Sequence, residues 1–98
     1  MRVVTVYVDE ITDYGAIARA VGLRTTKWAH LTADTREELH AFAARIGLRR
    51  AWFQHAHDYR WHYDVTPGKR AAALRAGAQS IDRAGLAALM ARRRAAQP

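Results

Sequence analysis

Between Val3 and Val8 the side chains alternate, with Val4, Val6 and Val8 on one face and Val3, Thr5 and Tyr7 on the other. Both faces are apolar, which predicts a strand covered on both sides by other layers. Helices to form those layers follow at intervals. Asp34 and Thr35 open overlapping capping boxes with Glu37 and Glu38, ahead of Leu39, Phe42, Ala43 and Ile46 at helical spacing, and Gly47 ends the run. Thr66 and Pro67 open a second helix that stops at Gly77, and Asp82 opens a third. In that third helix Leu86, Leu89 and Met90 form the apolar stripe, with Arg83, Arg92 and Arg94 away from it. Asp13 could cap a further short helix over Tyr14–Val21 with Gly22 as its stop, but Gly15 weakens a helix there and a loop is the alternative. Strands are expected over Lys27–Ala33, Trp61–Val65 and Ala78–Ile81. Strands alternating with helices predict a single small α/β domain over residues 1–94, with about four short, mostly parallel strands and three or four helices; 95–98 reads as a frayed tail.

A chain of 98 residues buries one core. No apolar run approaches the roughly 20 residues needed to cross a bilayer, so a soluble, cytoplasmic protein without a membrane partner is expected. With no cysteine, disulfides and thiolate metal sites are excluded, and a metal would have to use His, Asp, Glu or water. The formal charge of +7 favours an anionic partner, nucleotide or nucleic acid, although scattered arginines also make an ordinary solvated face.

The segment WFQHAHDYRWHYD, residues 52–64, holds three of the five histidines. Imidazoles and carboxylates bind metals and move protons, so a site is sought here. In the strand over Trp61–Val65, His62 and Asp64 share one face while Trp61, Tyr63 and Val65 share the other. Three predicted strands end in or beside an aspartate (Asp9, Asp34 and Asp64), and His30 and His62 lie just before such ends. With parallel strands, these five side chains gather at one edge of the sheet, where open α/β sheets bind ligands. His40 flanks the apolar stripe of its helix and falls near the same edge. Tyr59 and Arg60 lie in a loop positioned to line the pocket. Lys69 and Arg70 oppose the dipole in the first turn of their helix, a placement that a bound anion would relieve. The competing readings are structural: Asp34 and Asp82 as helix caps, His30 and His40 as packing residues, and Trp28, Trp52, Phe53 and Trp61 as core in preference to base-stacking platforms. Zinc-protease motifs, Gly-rich phosphate loops and nucleophile elbows are missing.

An ordered series of short motifs adds to this reading: VYVD at Val6–Asp9, WAHLTAD at Trp28–Asp34, ELHAFAARIGL at Glu38–Leu48, WFQ at Trp52–Gln54, HYDV at His62–Val65, KR at Lys69 and Arg70, and AGA at Ala76–Ala78. Together they resemble the small bacterial and phage family classed as domain of unknown function (DUF) 4031, over nearly the whole chain. The resemblance implies no established activity. Similar segments ahead of HD-type phosphohydrolase domains point towards nucleotide-related chemistry. The chain departs from the family's pattern over Ile11–Leu23 and in having His55 and His57.

The leading expectation is a domain that binds a phosphate-bearing ligand, nucleotide or nucleic acid, through His30, His62, Asp64, Lys69 and Arg70. The first alternative is a metal-dependent phosphoester hydrolase at the same edge, with Asp9, Asp34 and Asp64 holding a divalent ion such as Mg or Mn and a histidine as general base. The second is a protein-interaction module or homodimer that uses the aromatic segment over residues 52–63.

Overall fold

The computed structural model describes residues 5–15 and 26–97. Val3, Val4 and, beyond Gly15, the helix expected over Tyr14–Val21 lie outside the described residues. In chain order the elements are β1 (Val6–Val8), β2 (Thr12–Asp13), β3 (Lys27–Ala33), α1 (Arg36–Arg45), a 3-10 turn (Arg50–Trp52), β4 (Phe53–Gln54), β5 (His62–Val65), α2 (Pro67–Arg75), β6 (Gln79–Ser80) and α3 (Arg83–Ala96). The fold is α/β, with three helices and a six-stranded mixed sheet among the described residues.

The strand order is β4-β5-β3-β1-β6, with β2 beside β3. Among the described residues only β1 and β6 pair in parallel; β1–β3, β3–β5, β4–β5 and β2–β3 are antiparallel. The expected mostly parallel sheet is therefore corrected to a mostly antiparallel one. The cause is interleaving. α1 does join two strands of like direction, β3 and β4, but β5 is inserted between them. α2 likewise joins β5 to β6, with β3 and β1 between. Each crossover has the direction the sequence implies, yet the neighbours come from elsewhere in the chain.

Direct capping starts each helix. Thr35, and not Asp34, caps α1: its Oγ1 accepts from the Glu38 amide at 3.2 Å and donates to Glu38 Oε1 at 3.0 Å. Thr66 Oγ1 accepts from the Lys69 amide with Pro67 at the first helical position, and Asp82 accepts from the Gly85 amide at 2.7 Å. Gly47 closes α1 in the left-handed region, φ +82°, and a Cβ there would stand 3.0 Å from Lys69 Nζ. α3 continues through Ala96, past the expected end of the domain at residue 94.

The two faces of the sheet differ in kind. On one, Val6, Val8, Ala29, Leu31, Ala33, Tyr63 and Val65 join Leu39, Phe42 and Ala43 of α1 and Ala73 of α2 in a single core. On the other, alternation places Tyr7 of β1 and Asp9 just past it, His30 and Thr32 of β3, and His62 and Asp64 of β5. α3 reaches this second face through Arg93. Its guanidinium donates to Thr32 Oγ1 and to the carbonyls of Ala33, Tyr59 and Trp61, and its Cζ lies 3.4 Å from the Trp61 ring centroid. Burial pulls the Arg93 pKa down to about 10.

Candidate functional site

β1 and β5 run in the same direction and β3 runs against them, so their ends sort by direction. Asp9, just past β1, and Asp64, near the end of β5, come to one end of the sheet. Asp34, just past β3, is carried to the other. The register pairs His30 with Asp64 across β3 and β5, and the Asp9 amide donates to the His30 carbonyl at 3.1 Å. Four of the five expected residues thus meet. Asp34 stands four residues along β3 from His30, roughly 13 Å at strand rise, and its carboxylate meets Tyr7 instead.

Within the cluster, hydrogen bonds fix which nitrogens carry protons. His30 donates from Nδ1 to Asp9 Oδ2 at 2.8 Å, while its backbone N–H donates to Asp9 Oδ1 at 2.5 Å. His62 Nδ1 lies 2.7 Å from the Arg60 carbonyl, which can only accept, so that nitrogen is the donor. Both rings are left with Nε2 as the free lone pair when neutral. His62 Nε2 faces Asp64 Oδ1 at 3.1 Å, and the His30 and His62 rings meet edge to face with centroids 4.8 Å apart. One ligand atom each from His30, His62 and Asp64 falls within 4.8 Å of the others. With His62 neutral, its Nε2 and Asp64 Oδ1 are both acceptors, so their 3.1 Å approach calls for a proton or a cation between them.

The electrostatics agree with that need. His30 is held above the ordinary histidine range by its bond to the buried Asp9 carboxylate, which outweighs the cost of burial. Burial alone would raise Asp64, but the His62 bond and the charges of His62, His30 and His55 hold it below the usual carboxylate range. The His62 side chain is 12% exposed and that of Asp64 40%, so the cluster is reached from the Asp64 side.

The cluster opens into a cleft of about 590 Å³ whose lining also includes Leu48, Trp52, Gln54, His55 and Lys69. This volume is typical of a small-molecule site. Lys69 Nζ donates to the Ile46 carbonyl at 2.6 Å, capping the end of α1 and keeping its remaining protons for the cleft. Arg70 is used otherwise: Nε donates to the Asp9 carbonyl at 2.7 Å and a terminal nitrogen to Ser80 Oγ at 3.3 Å, so it braces the chain behind the cluster.

Other expected residues fall elsewhere. His40 sits across the sheet on the core side, against Phe53 and Tyr63, with Nδ1 2.9 Å from the Tyr63 hydroxyl. Burial, then Arg50 and Arg36, push its pKa down. Arg60 folds back on Asp58, and neither it nor Tyr59 lines the cleft. His55, Trp52 and Gln54 line it without having been singled out as site residues. His55 has φ +56°, donates from Nδ1 to Asp58 at 3.1 Å and stacks on His62 with centroids 5.6 Å apart. A left-handed histidine beside a candidate site is a strain signal that only backbone geometry reveals.

The model of the family described as "Protein of unknown function (DUF4031)" matches residues 6–93. The chain belongs to the DUF4031 family. Every residue of the His/Asp cluster lies within the matched segment. No curated protein and no solved structure matches the chain.

Proposed function

We propose that this DUF4031 domain is a divalent-metal-dependent hydrolase of phosphoesters, with His30, His62 and Asp64 as the metal ligands. The observation that carries the reading is the approach of ligand atoms of His30, His62 and Asp64 to within 4.8 Å of one another in a cleft, with Nδ1 of each imidazole held by a hydrogen bond. Carboxylate-backed histidine is the usual second layer of a metal site, here Asp9 behind His30, with the Arg60 carbonyl in that role behind His62. Two imidazoles and one carboxylate favour a first-row transition ion such as Zn²⁺, Mn²⁺ or Fe²⁺ over Mg²⁺, which prefers oxygen ligands. Asp9 then serves as an orienting residue, and Asp34 has no part in the site.

Three protein ligands leave positions for water and a phosphoryl oxygen, and a bound ion would lower the pKa of that water towards neutrality. Lys69 supplies positive charge for the phosphate. Water adds to phosphorus, the ester P–O bond breaks, and the leaving oxygen takes up a proton. The +7 formal charge supports an anionic substrate.

The test is hydrolysis of bis(p-nitrophenyl) phosphate and p-nitrophenyl phosphate by the purified chain with Zn²⁺, Mn²⁺, Fe²⁺ or Mg²⁺. Turnover that needs a transition ion and falls at least 100-fold in His62→Ala and Asp64→Ala is the expected result. Ion binding without turnover would leave only a metal-assisted phosphate-binding role.

A further inference from the structure

We infer that the cleft takes a mononucleotide, with its base stacked on Trp52 and its phosphate at the His30–His62–Asp64 pole. The phosphate half of this inference rests on the metal reading above; the base half rests on Trp52. Among the described residues Trp52 is the exposed large hydrophobic side chain, 43% accessible, and it lines the same cleft as the cluster. The β4–β5 register pairs Phe53 with Tyr63 and Gln54 with His62, which leaves Trp52, the last residue of the 3-10 turn, just beyond the paired stretch on the Asp64 side. A row therefore crosses the second face from Asp9 through His30 and Asp64 to Trp52. Strands lie about 4.8 Å apart, so the β4 end of this row is roughly one strand spacing from Asp64 and two from His30. That offset suits a ribose between a coordinated phosphate and a stacked base.

The volume also calls for more than phosphate. Each water takes about 30 Å³, so an ion with its waters and a phosphate group leaves most of the 590 Å³ unfilled. What remains is bordered by Leu48 and Trp52, with Gln54 offering an amide donor and acceptor to a base edge. Arg49, outside the cleft wall, lies over the indole with its Cζ 5.8 Å from the ring centroid and supports it from elsewhere. Charge complements shape, because Lys69, whose Nζ is held at the Ile46 carbonyl, lines the same cleft and offers it positive charge. A stacked ring and an anion one sugar apart define a nucleoside monophosphate.

The experiment compares binding of AMP, UMP, ribose 5-phosphate and inorganic phosphate by calorimetry, with and without Mn²⁺, in the wild type, Trp52→Ala and Trp52→Phe. Both nucleotides are expected to bind about 10- to 100-fold more tightly than ribose 5-phosphate, the size of one base–aromatic stack. Trp52→Ala should erase that difference, Trp52→Phe should keep most of it, and Mn²⁺ affinity should be the same in all three. Equal binding of nucleotide and sugar phosphate by the wild type overturns the inference, as does a Trp52→Ala variant that weakens both alike. A base preference that depends on Trp52 but persists in a chain that binds no ion would support the stacking and overturn the metal reading alone.

Discussion

The two faces of this sheet are built from the same strands yet do different work. On the core side, Leu31, Val8, Val65 and Tyr63 are almost fully buried and meet α1 and α2. On the other, Asp9, His30, His62 and Asp64 use the same backbone to bring acids and imidazoles into contact. Alternation makes this possible, since Tyr63 belongs to the core while His62 and Asp64, one residue to either side, belong to the cluster. A strand can therefore carry a polar constellation without loss of packing so long as its other face closes the core.

The largest expected effect breaks the core face. Phe42→Ala should lower unfolding stability by about 3–5 kcal/mol, because the ring's removal leaves a cavity between α1 and the sheet. His62→Ala, across the sheet, should cost only about 1–2 kcal/mol, from the hydrogen bonds it gives up, while removing ion binding. Urea denaturation of both variants checks the contrast, and similar losses would mean that the second face is structural. Next in size is Arg93→Met, which strips donors from Thr32 Oγ1 and three backbone carbonyls. A loss of about 2–3 kcal/mol is expected from acceptors left unpaired in a partly buried site, with ion affinity unchanged. If Arg93→Met abolished ion binding in a folded protein, the two ends of the second face would be coupled.

The smallest effect is on pH. The folded-state pKa of His40 lies below its unfolded value of about 6.5. Its stabilising contribution is thus present above about pH 6.5 and lost as pH falls through the folded value, because the unfolded chain binds the proton first. Thermal unfolding of the ion-free protein between pH 4 and 7.5 should show the wild type losing more stability on acidification than His40→Gln. The difference should stay below about 1 kcal/mol, since the ring is partly open to solvent. A wild type that gains stability relative to His40→Gln at low pH would reverse the assigned sign.

Local chemistry was legible in the sequence and long-range pairing was not. β3 runs over Lys27–Ala33 as its apolar pattern predicts, and Pro67, Gly47, Gly77 and Asp82 mark helix ends through rules that act within one turn. Thr35 and Asp34 offered equivalent capping boxes, and only the structure distinguishes them. Whether neighbouring strands run parallel depends on which segment is inserted between a crossover's two strands, and no local residue records that. Sequence position alone therefore groups Asp34 with Asp9 and Asp64. His30, His62 and Asp64 could be picked out from residue type and alternation. Their meeting required the β3–β5 register, and the contribution of His55 required a backbone angle. Trp52 reads as core by composition, but it lies just ahead of a two-residue edge strand, where little packs over it.

The most direct test of the second face is calorimetric titration of Zn²⁺ and Mn²⁺ into the metal-stripped chain at pH 7.5, repeated on His30→Ala, His62→Ala, Asp64→Ala and Asp34→Ala. The account predicts one ion per chain in the wild type and in Asp34→Ala, and at least a 100-fold loss of affinity in each of the other three while their folds persist. No ion bound by the wild type, or equal affinity in His62→Ala and Asp34→Ala, would contradict it.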